Sequence, residues 1–409
     1  MGTHVNPNNR GFRKALKAGN YVDKTGLISY INSVLSTEDF ETCFTRPRMF
    51  GKTTSCRMLA AYYSVGANSE DLFKRTEIEK DPTFREHLNK HPVISFDLLA
   101  FKDDWSNQDN DWSDFNGKKP TLVQYIRNTI VKELAEEYPD VSIAPKSSLR
   151  KAMLAVVAYL EEKENAKNKD TNTHQFVVII DEWDLIIREE KDNPTMIDDY
   201  IEFLRSLFCS QDTDFYLAGA YMTGILPIIR YNTQSGLSDF REYTMLDPGP
   251  LARYVGFTQE DVHKVCQKFD ADEQTMKSLY EGYSVRGVEK VYCPFSIVEA
   301  AKNDDYTSHW PMTSSTAVFT DYVYSHFNCL YDAIDHLLVY ENVQINPRIF
   351  QNRLDELNTQ DKLLTVFVHL GYLTYDYESS TVRIPNYEVR QHILDAFSEP
   401  PSKKYRTYR

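Results

Sequence analysis

Arg46-Pro-Arg-Met-Phe-Gly-Lys-Thr-Thr54 is the stretch on which the fold turns. It follows the apolar run Thr42-Cys-Phe-Thr45 and precedes the helical pattern Ser55-Cys-Arg-Met-Leu-Ala-Ala-Tyr-Tyr63. A strand, a tight loop ending in Gly-Lys-Thr and then a helix is how a P-loop protein holds a nucleotide phosphate, because backbone N–H groups at the helix start point at the anion. The usual loop reads G-x-x-x-x-G-K-[ST], and Arg46 stands where its first Gly belongs.

Each residue of the loop has a chemical reading. Lys52 would reach the β- and γ-phosphates, the backbone from Phe50 to Thr54 would cradle them, and the Thr53 hydroxyl would take one Mg²⁺ position. Gly51 supplies the close backbone approach. Arg46 carries a side chain, so that part of the loop takes another path, and Pro47 stiffens it by fixing φ. Arg46 and Arg48 add positive charge suited to a triphosphate. On this segment alone, an ordinary loop that happens to contain Gly-Lys-Thr explains the residues equally well.

A second motif favours the nucleotide reading. Phe176-Val-Val-Ile-Ile-Asp181-Glu182 is a buried-type strand ending in two acids, a Walker-B pattern. Asp181 can hold Mg²⁺ through water, and Glu182 can orient and polarise the attacking water. In Met222-Thr-Gly-Ile-Leu-Pro-Ile-Ile-Arg230, Thr223 ends a strand and could sense the γ-phosphate beside Asp181. Arg230 reads better as a surface loop residue than as a charge-stabilising arginine, and Trp183 and the Phe50 ring read as packing anchors.

Strands at 93–98, 176–181 and 215–222 alternate with helices at 121–138, 148–165 and 195–209, which predicts an α/β fold with a P-loop NTPase parallel sheet covered by helices. The polar segments 102–119 and 163–174 read as an exposed insertion and a loop. Residues 1–250 form the expected ATPase core with its N-terminal arm. A small helical lid at 251–310 follows, opened by Thr258 as N-cap with Asp261 at N3, with a turn at Arg286-Gly287 and a helix starting at Pro294. Residues 311–409 read as a winged-helix-like unit with a basic tail: helices, the last ending at Gly371, and then a hairpin from Tyr372-Leu-Thr-Tyr-Asp-Tyr377 and Thr381-Val-Arg-Ile384.

Composition narrows the classes. A net charge of -14 argues against a protein that coats nucleic acid. The nine Lys/Arg against four Asp/Glu in residues 1–57 fit a phosphate site. Six scattered cysteines without C-x-x-C fit a reducing cytoplasm. There is no run of eighteen apolar residues to span a membrane and no apolar h-region at the N-terminus. Pro139-Asp140 with Glu161-Glu-Lys163 imitates a metal-dependent nuclease motif, but Glu161 to Lys163 close a charged helical stretch.

These residues resemble the bacterial AAA-ATPase-like family. The likeness rests on Tyr21-Val-Asp-Lys-Thr-Gly-Leu27, the loop, Ile179-Ile-Asp-Glu-Trp-Asp184, Met222-Thr-Gly-Ile-Leu-Pro-Ile228, Asp247-Pro248, Val255-Gly-Phe-Thr258, Tyr280-Glu-Gly-Tyr283 and Leu370-Gly-Tyr-Leu373 with Ile384-Pro-Asn386. The family's loop usually reads Arg-Pro-Arg-Arg-Phe-Gly-Lys-Ser/Thr, so Arg46 follows the family pattern and Met49 departs from it. Many relatives carry a PD-(D/E)xK nuclease after the Ile-Pro-Asn segment, and this chain ends soon after it, so no nuclease activity is expected of these residues.

The resemblance implies an ATP-binding, Mg²⁺-dependent ATPase whose nucleotide state regulates a protein partner or a nuclease-type effector. Arg46, Pro47, Arg48, Phe50, Gly51, Lys52, Thr53 and Thr54 would bind nucleotide, Thr53 and Asp181 the metal, and Glu182, Lys52 and Thr223 would serve catalysis. The alternatives are a nucleotide-gated binding switch that does not hydrolyse and, weaker, a DNA-binding winged-helix protein. The recognition helix such a protein would use, 361–370, carries one Lys, one His and one Asp. Homo-oligomerisation is left open.

Overall fold

Phe176–Asp181 lies inside a five-stranded sheet, and its six residues are all buried. A strand covered on both faces has no solvent side to encode, which is why its sequence is a continuous apolar run and not an alternation. The sheet consists of β1 (Glu41–Thr45), β2 (Val93–Asp97), β3 (Phe176–Asp181), β4 (Leu217–Gly224) and β5 (Arg241–Tyr243), in the order β2-β3-β4-β1-β5. β2 and β4 both pair parallel with β3. Helices flank the sheet, giving the α/β class expected. The computed structural model describes residues 2–398 apart from 108–111, 116, 166–173, 229–236, 238, 311–322 and 324–326. Arg230 and the basic tail therefore lie outside the described residues.

Two compact units divide the chain. The first comprises Met1–Phe44, Thr53–Gly224 and Arg230–Glu242, and the second Thr45–Lys52, Ile225–Ile229 and Tyr243–Arg409.

In the first unit, local chemistry sets the helix boundaries. Thr121 and Gln124 form a reciprocal capping box at the start of helix Leu122–Glu137. Asn193 caps helix Pro194–Phe208, with Pro194 in the first turn, where its missing N–H costs nothing. Glu161 to Lys163 are exposed on helix Leu149–Asn165, and Lys163 pairs with Asp140 at 3.4 Å.

The 102–119 insertion needs correction at its start. Helix Leu98–Ser106 occupies it, because the Asp97 carboxylate accepts from the Leu99 N–H and Leu98 and Phe101 bury one face despite the polar composition. The 215–222 strand is also displaced. Thr213–Tyr216 forms a helical turn in which the Thr213 hydroxyl donates to the Ser210 carbonyl at 2.7 Å, so β4 begins only at Leu217.

In the second unit, Thr258 and Asp261 cap helix Gln259–Phe269 as expected, and Pro294 opens helix Pro294–Asn303. The purely helical lid is not what forms. β6 (Phe257–Thr258), β7 (Tyr283–Val285) and β8 (Val288–Tyr292) make an antiparallel sheet in the order β6-β8-β7. Gly287 turns β7 into β8 at φ +85°. Strands this short show no readable period and exist because they pair. Further along, helix Gln360–Leu370 ends at Gly371 in the left-handed region, φ +88°. The hairpin of β10 (Thr374–Asp376) and β11 (Thr381–Arg383) gains a third strand, β9 (Val343–Gln344), in the order β10-β11-β9. Helix Tyr387–Ser398 follows.

Candidate functional site

Three carboxyl-terminal strand ends line up in the first unit. Asp97 on β2 is the register partner of Asp181 on β3, and Asp181 is the partner of Thr223 on β4. Parallel strands collect polar residues at this edge because their apolar interiors end there together, and ligands of open α/β sheets bind at such edges. Asp181 is buried, and its Oδ1 accepts from the Glu182 N–H at 3.1 Å. The Thr223 hydroxyl is fully buried with no hydrogen-bond partner, an arrangement that costs free energy unless something else satisfies it. Burial, opposed by the Leu99 and Ala100 N–H groups, raises the Asp97 carboxyl above its ordinary range, and the Glu182 charge raises it further.

Glu182 leaves the strand in the left-handed region at φ +55°, a conformation rare for a side-chain-bearing residue. The next residue is pinned at both of its peptide groups: the Trp183 N–H donates to the Thr223 carbonyl at 3.0 Å, and the Tyr200 hydroxyl donates to the Trp183 carbonyl at 2.8 Å. Arg188, on helix Leu185–Glu189, donates through Nη2 to Glu182 Oε2 at 2.6 Å and through Nε to Asp184 Oδ2 at 2.8 Å. Gly224 is required beside them, since a β-carbon there would stand 2.4 Å from Asp184 Oδ1. Thr53 and Thr54 lie in the first turn of helix Lys52–Tyr63. This helix is tied to β4 by the Ser55 and Tyr221 hydroxyls, 3.1 Å apart.

The loop itself, Thr45–Lys52, belongs to the second unit. Gly51 takes φ +93° with open space where a β-carbon would point, and Met49 is also left-handed at φ +62°. Lys52 is buried and its Nζ donates to the Pro47 carbonyl at 3.0 Å. Arg46 is fully buried, with Nη1 donating to the Thr45 carbonyl at 2.9 Å. Burial first and the Arg46 charge second push the neighbouring His369 imidazole down to about 3, so it is neutral at physiological pH.

Residues far along the chain hold the loop. The Gly256 N–H donates to the Phe50 carbonyl at 3.0 Å, and the Phe50 ring meets Tyr283 edge-on with centroids 5.3 Å apart. Tyr283 in turn donates its hydroxyl to the Gly371 carbonyl at 2.8 Å. The Cys293 thiol lies 3.9 Å from the Met49 carbonyl.

A family model described as a predicted AAA-ATPase matches residues 11–233, more than half of the 409. The chain belongs to this predicted AAA-ATPase family. The matched stretch contains the loop, Asp181, Glu182 and Thr223. No curated protein matches this AAA-ATPase-like chain. Among solved structures it is similar to the ORC2 protein of Aeropyrum pernix in its ADPNP–ADP complexes, at 11% identity over 96% of this chain and 98% of that one, with a TM-score of 0.36.

The oxygens offered by Thr53 and Asp181 are the hard donors that Mg²⁺ prefers, and the unpartnered Thr223 hydroxyl is the orphan that a bound polar group would satisfy. The sequence did not single out Arg188, nor show that Gly256, Tyr283 and Gly371, all within the family-like stretches, gather around the loop. The glycines carried a signal as punctuation and Tyr283 as part of a family-like stretch, but nothing near Arg188 or Tyr283 in sequence names a partner.

Proposed function

We propose that the chain is an ATP-binding, Mg²⁺-dependent ATPase whose nucleotide state regulates a protein partner or nuclease-type effector. The observation that carries this reading is the register of Asp181 with Thr223 at the ends of two buried parallel strands, with Glu182 directly following Asp181. Lys52 draws the β- and γ-phosphate oxygens through its ammonium, with Arg46, Pro47, Arg48, Phe50, Gly51, Thr53 and Thr54 forming the rest of the phosphate-binding segment. Thr53 and Asp181 hold the metal, which when bound neutralises phosphate charge as a Lewis acid. The Glu182 carboxylate accepts a proton from the attacking water as its oxygen bonds to the γ-phosphorus; the bond to the bridging oxygen breaks and ADP leaves. Thr223 donates its hydroxyl toward the same phosphoryl group.

Residues 1–250 serve as the core, 251–310 as the lid and 311–409 as the winged-helix-like unit that passes the nucleotide state on. The grip of Gly256 and Tyr283 on Phe50 supports this, since a change in the loop must be felt inside the second unit. Six scattered cysteines without a C-x-x-C pair support a reducing, cytoplasmic setting as part of this reading.

Steady-state phosphate release tests the reading. Glu182→Gln is expected to keep ATP binding and lose turnover, and Lys52→Ala to lose binding. Equal phosphate release by Glu182→Gln and wild type would remove the assigned role of the carboxylate.

A further inference from the structure

Glu182 reaches its task through a side chain with three rotatable bonds, so a base assigned to one water needs something to hold it. Arg188 is the group in place to do so. Its side chain is 8% exposed and forks between two carboxylates, Glu182 at 19% exposure and Asp184 at 0%. The anchor is rigid. Asp184 is sealed from solvent and sits four residues before Arg188, so one helical turn sets their spacing. The Arg188 N–H also donates to the Asp184 carbonyl at 3.0 Å, and the Leu185 N–H donates to the Glu182 carbonyl at 2.9 Å. A guanidinium presents fixed N–H directions, so a fork with one tine on a buried carboxylate aims the other. A structural ion pair needs only Asp184; the contact with Glu182 is the additional feature.

We infer that Arg188 is a positioning residue that holds the Glu182 carboxylate, through Oε2, in the orientation from which it takes the proton of the attacking water. The inference rests on the ATPase reading and adds a residue to it. Displacing a catalytic group by about 1 Å costs roughly 100-fold in rate. Loss of the fork is therefore expected to lower kcat roughly 10- to 100-fold and to leave KM for Mg-ATP within about threefold.

The test uses the full chain and Mg-ATP. Arg188→Met alone would strand the charge of Asp184, so it is paired with Asp184→Asn, and both are also built in the Glu182→Gln background. Arg188→Lys, which keeps the charge without the fork, is the second variant and serves if the pair does not fold. The inference expects kcat to fall with KM held, Arg188→Lys to recover part of the rate, and the Arg188→Met, Asp184→Asn pair to cost nothing further once Glu182 is Gln. A loss that adds to that of Glu182→Gln, a rise in KM that accounts for the whole effect, or an unchanged kcat overturns it. Wild-type turnover no higher than that of Lys52→Ala is a separate result, which defeats the ATPase reading and this inference with it.

Discussion

Gly371 lies so close to Pro47 that a β-carbon on it would stand 2.8 Å from the Pro47 side chain and 2.9 Å from Trp310. The glycine that ends a helix in the second unit is therefore also the surface on which the Thr45–Lys52 loop rests. Gly371→Ala meets both demands badly, since φ there is +88°. It is expected to cost about 1–3 kcal/mol and to weaken binding of a fluorescent ATP analogue through displacement of the loop. Thermal melting and titration check it, and a variant with wild-type melting temperature and affinity would refute the close packing.

Tyr283 meets the same loop with its ring, against Phe50, and Gly371 with its hydroxyl. Tyr283→Phe keeps the ring and leaves the Gly371 carbonyl without that donor. A loss of about 1–2 kcal/mol in chemical denaturation is expected. Tyr283→Ala also removes the ring from Phe50 and is expected to cost roughly 3–5 kcal/mol. The order of the two variants is the test: equal losses would mean that the ring does not matter.

Gly224→Ala probes the first unit. Its β-carbon would press on Asp184 Oδ1 and on Trp183, 2.7 Å from Cδ1. Overpacking of this kind costs about 1–3 kcal/mol. Because Asp184 anchors Arg188, the variant is also expected to lose ATP turnover beyond what its melting temperature explains. Turnover at the wild-type level in a folded sample would contradict the anchoring.

Glu41, at the start of β1, is 2% exposed, and neither carboxylate oxygen has a hydrogen-bond partner. Burial first, then the charges of Asp239 and Asp214, raise its carboxyl from 4.5 to about 8. The folded carboxyl keeps its proton where the unfolded one has lost it. Its contribution to stability is therefore fully present below pH 4.5 and declines as pH rises to about 8, by roughly 1.4 kcal/mol per pH unit inside that window. Glu41→Gln resembles the protonated form and removes this slope. Melting temperatures across pH 5 to 9 are expected to favour the variant increasingly up to about pH 8 and by a constant margin above it; parallel curves for the two proteins would contradict the shift.

Much of the scaffold was legible because its causes are local. An apolar run ending in Asp181-Glu182 is a buried strand wherever it lies in the sheet, and Thr258 with Asp261 caps a helix with atoms three residues apart. The same holds for Pro294 at a first turn and Gly371 at a helix end. Where local composition and tertiary pairing disagree, pairing wins. β7 and β8 are too short to show a period, and Leu98–Ser106 is a helix in a polar stretch because Leu98 and Phe101 have a core to enter.

By itself, then, the sequence determined the α/β class, the Gly51-Lys52-Thr53 turn into a helix, and the acidic end of β3, since hydrogen bonds and periodicity over a few residues dictate all three. Tertiary structure alone decided that Arg46 is buried beside a neutral His369, that Arg188 grips Glu182, and that Tyr283 and Gly371 hold the loop. Those contacts depend on which side chains the packed backbone brings within bonding distance, and no spacing along the chain encodes that.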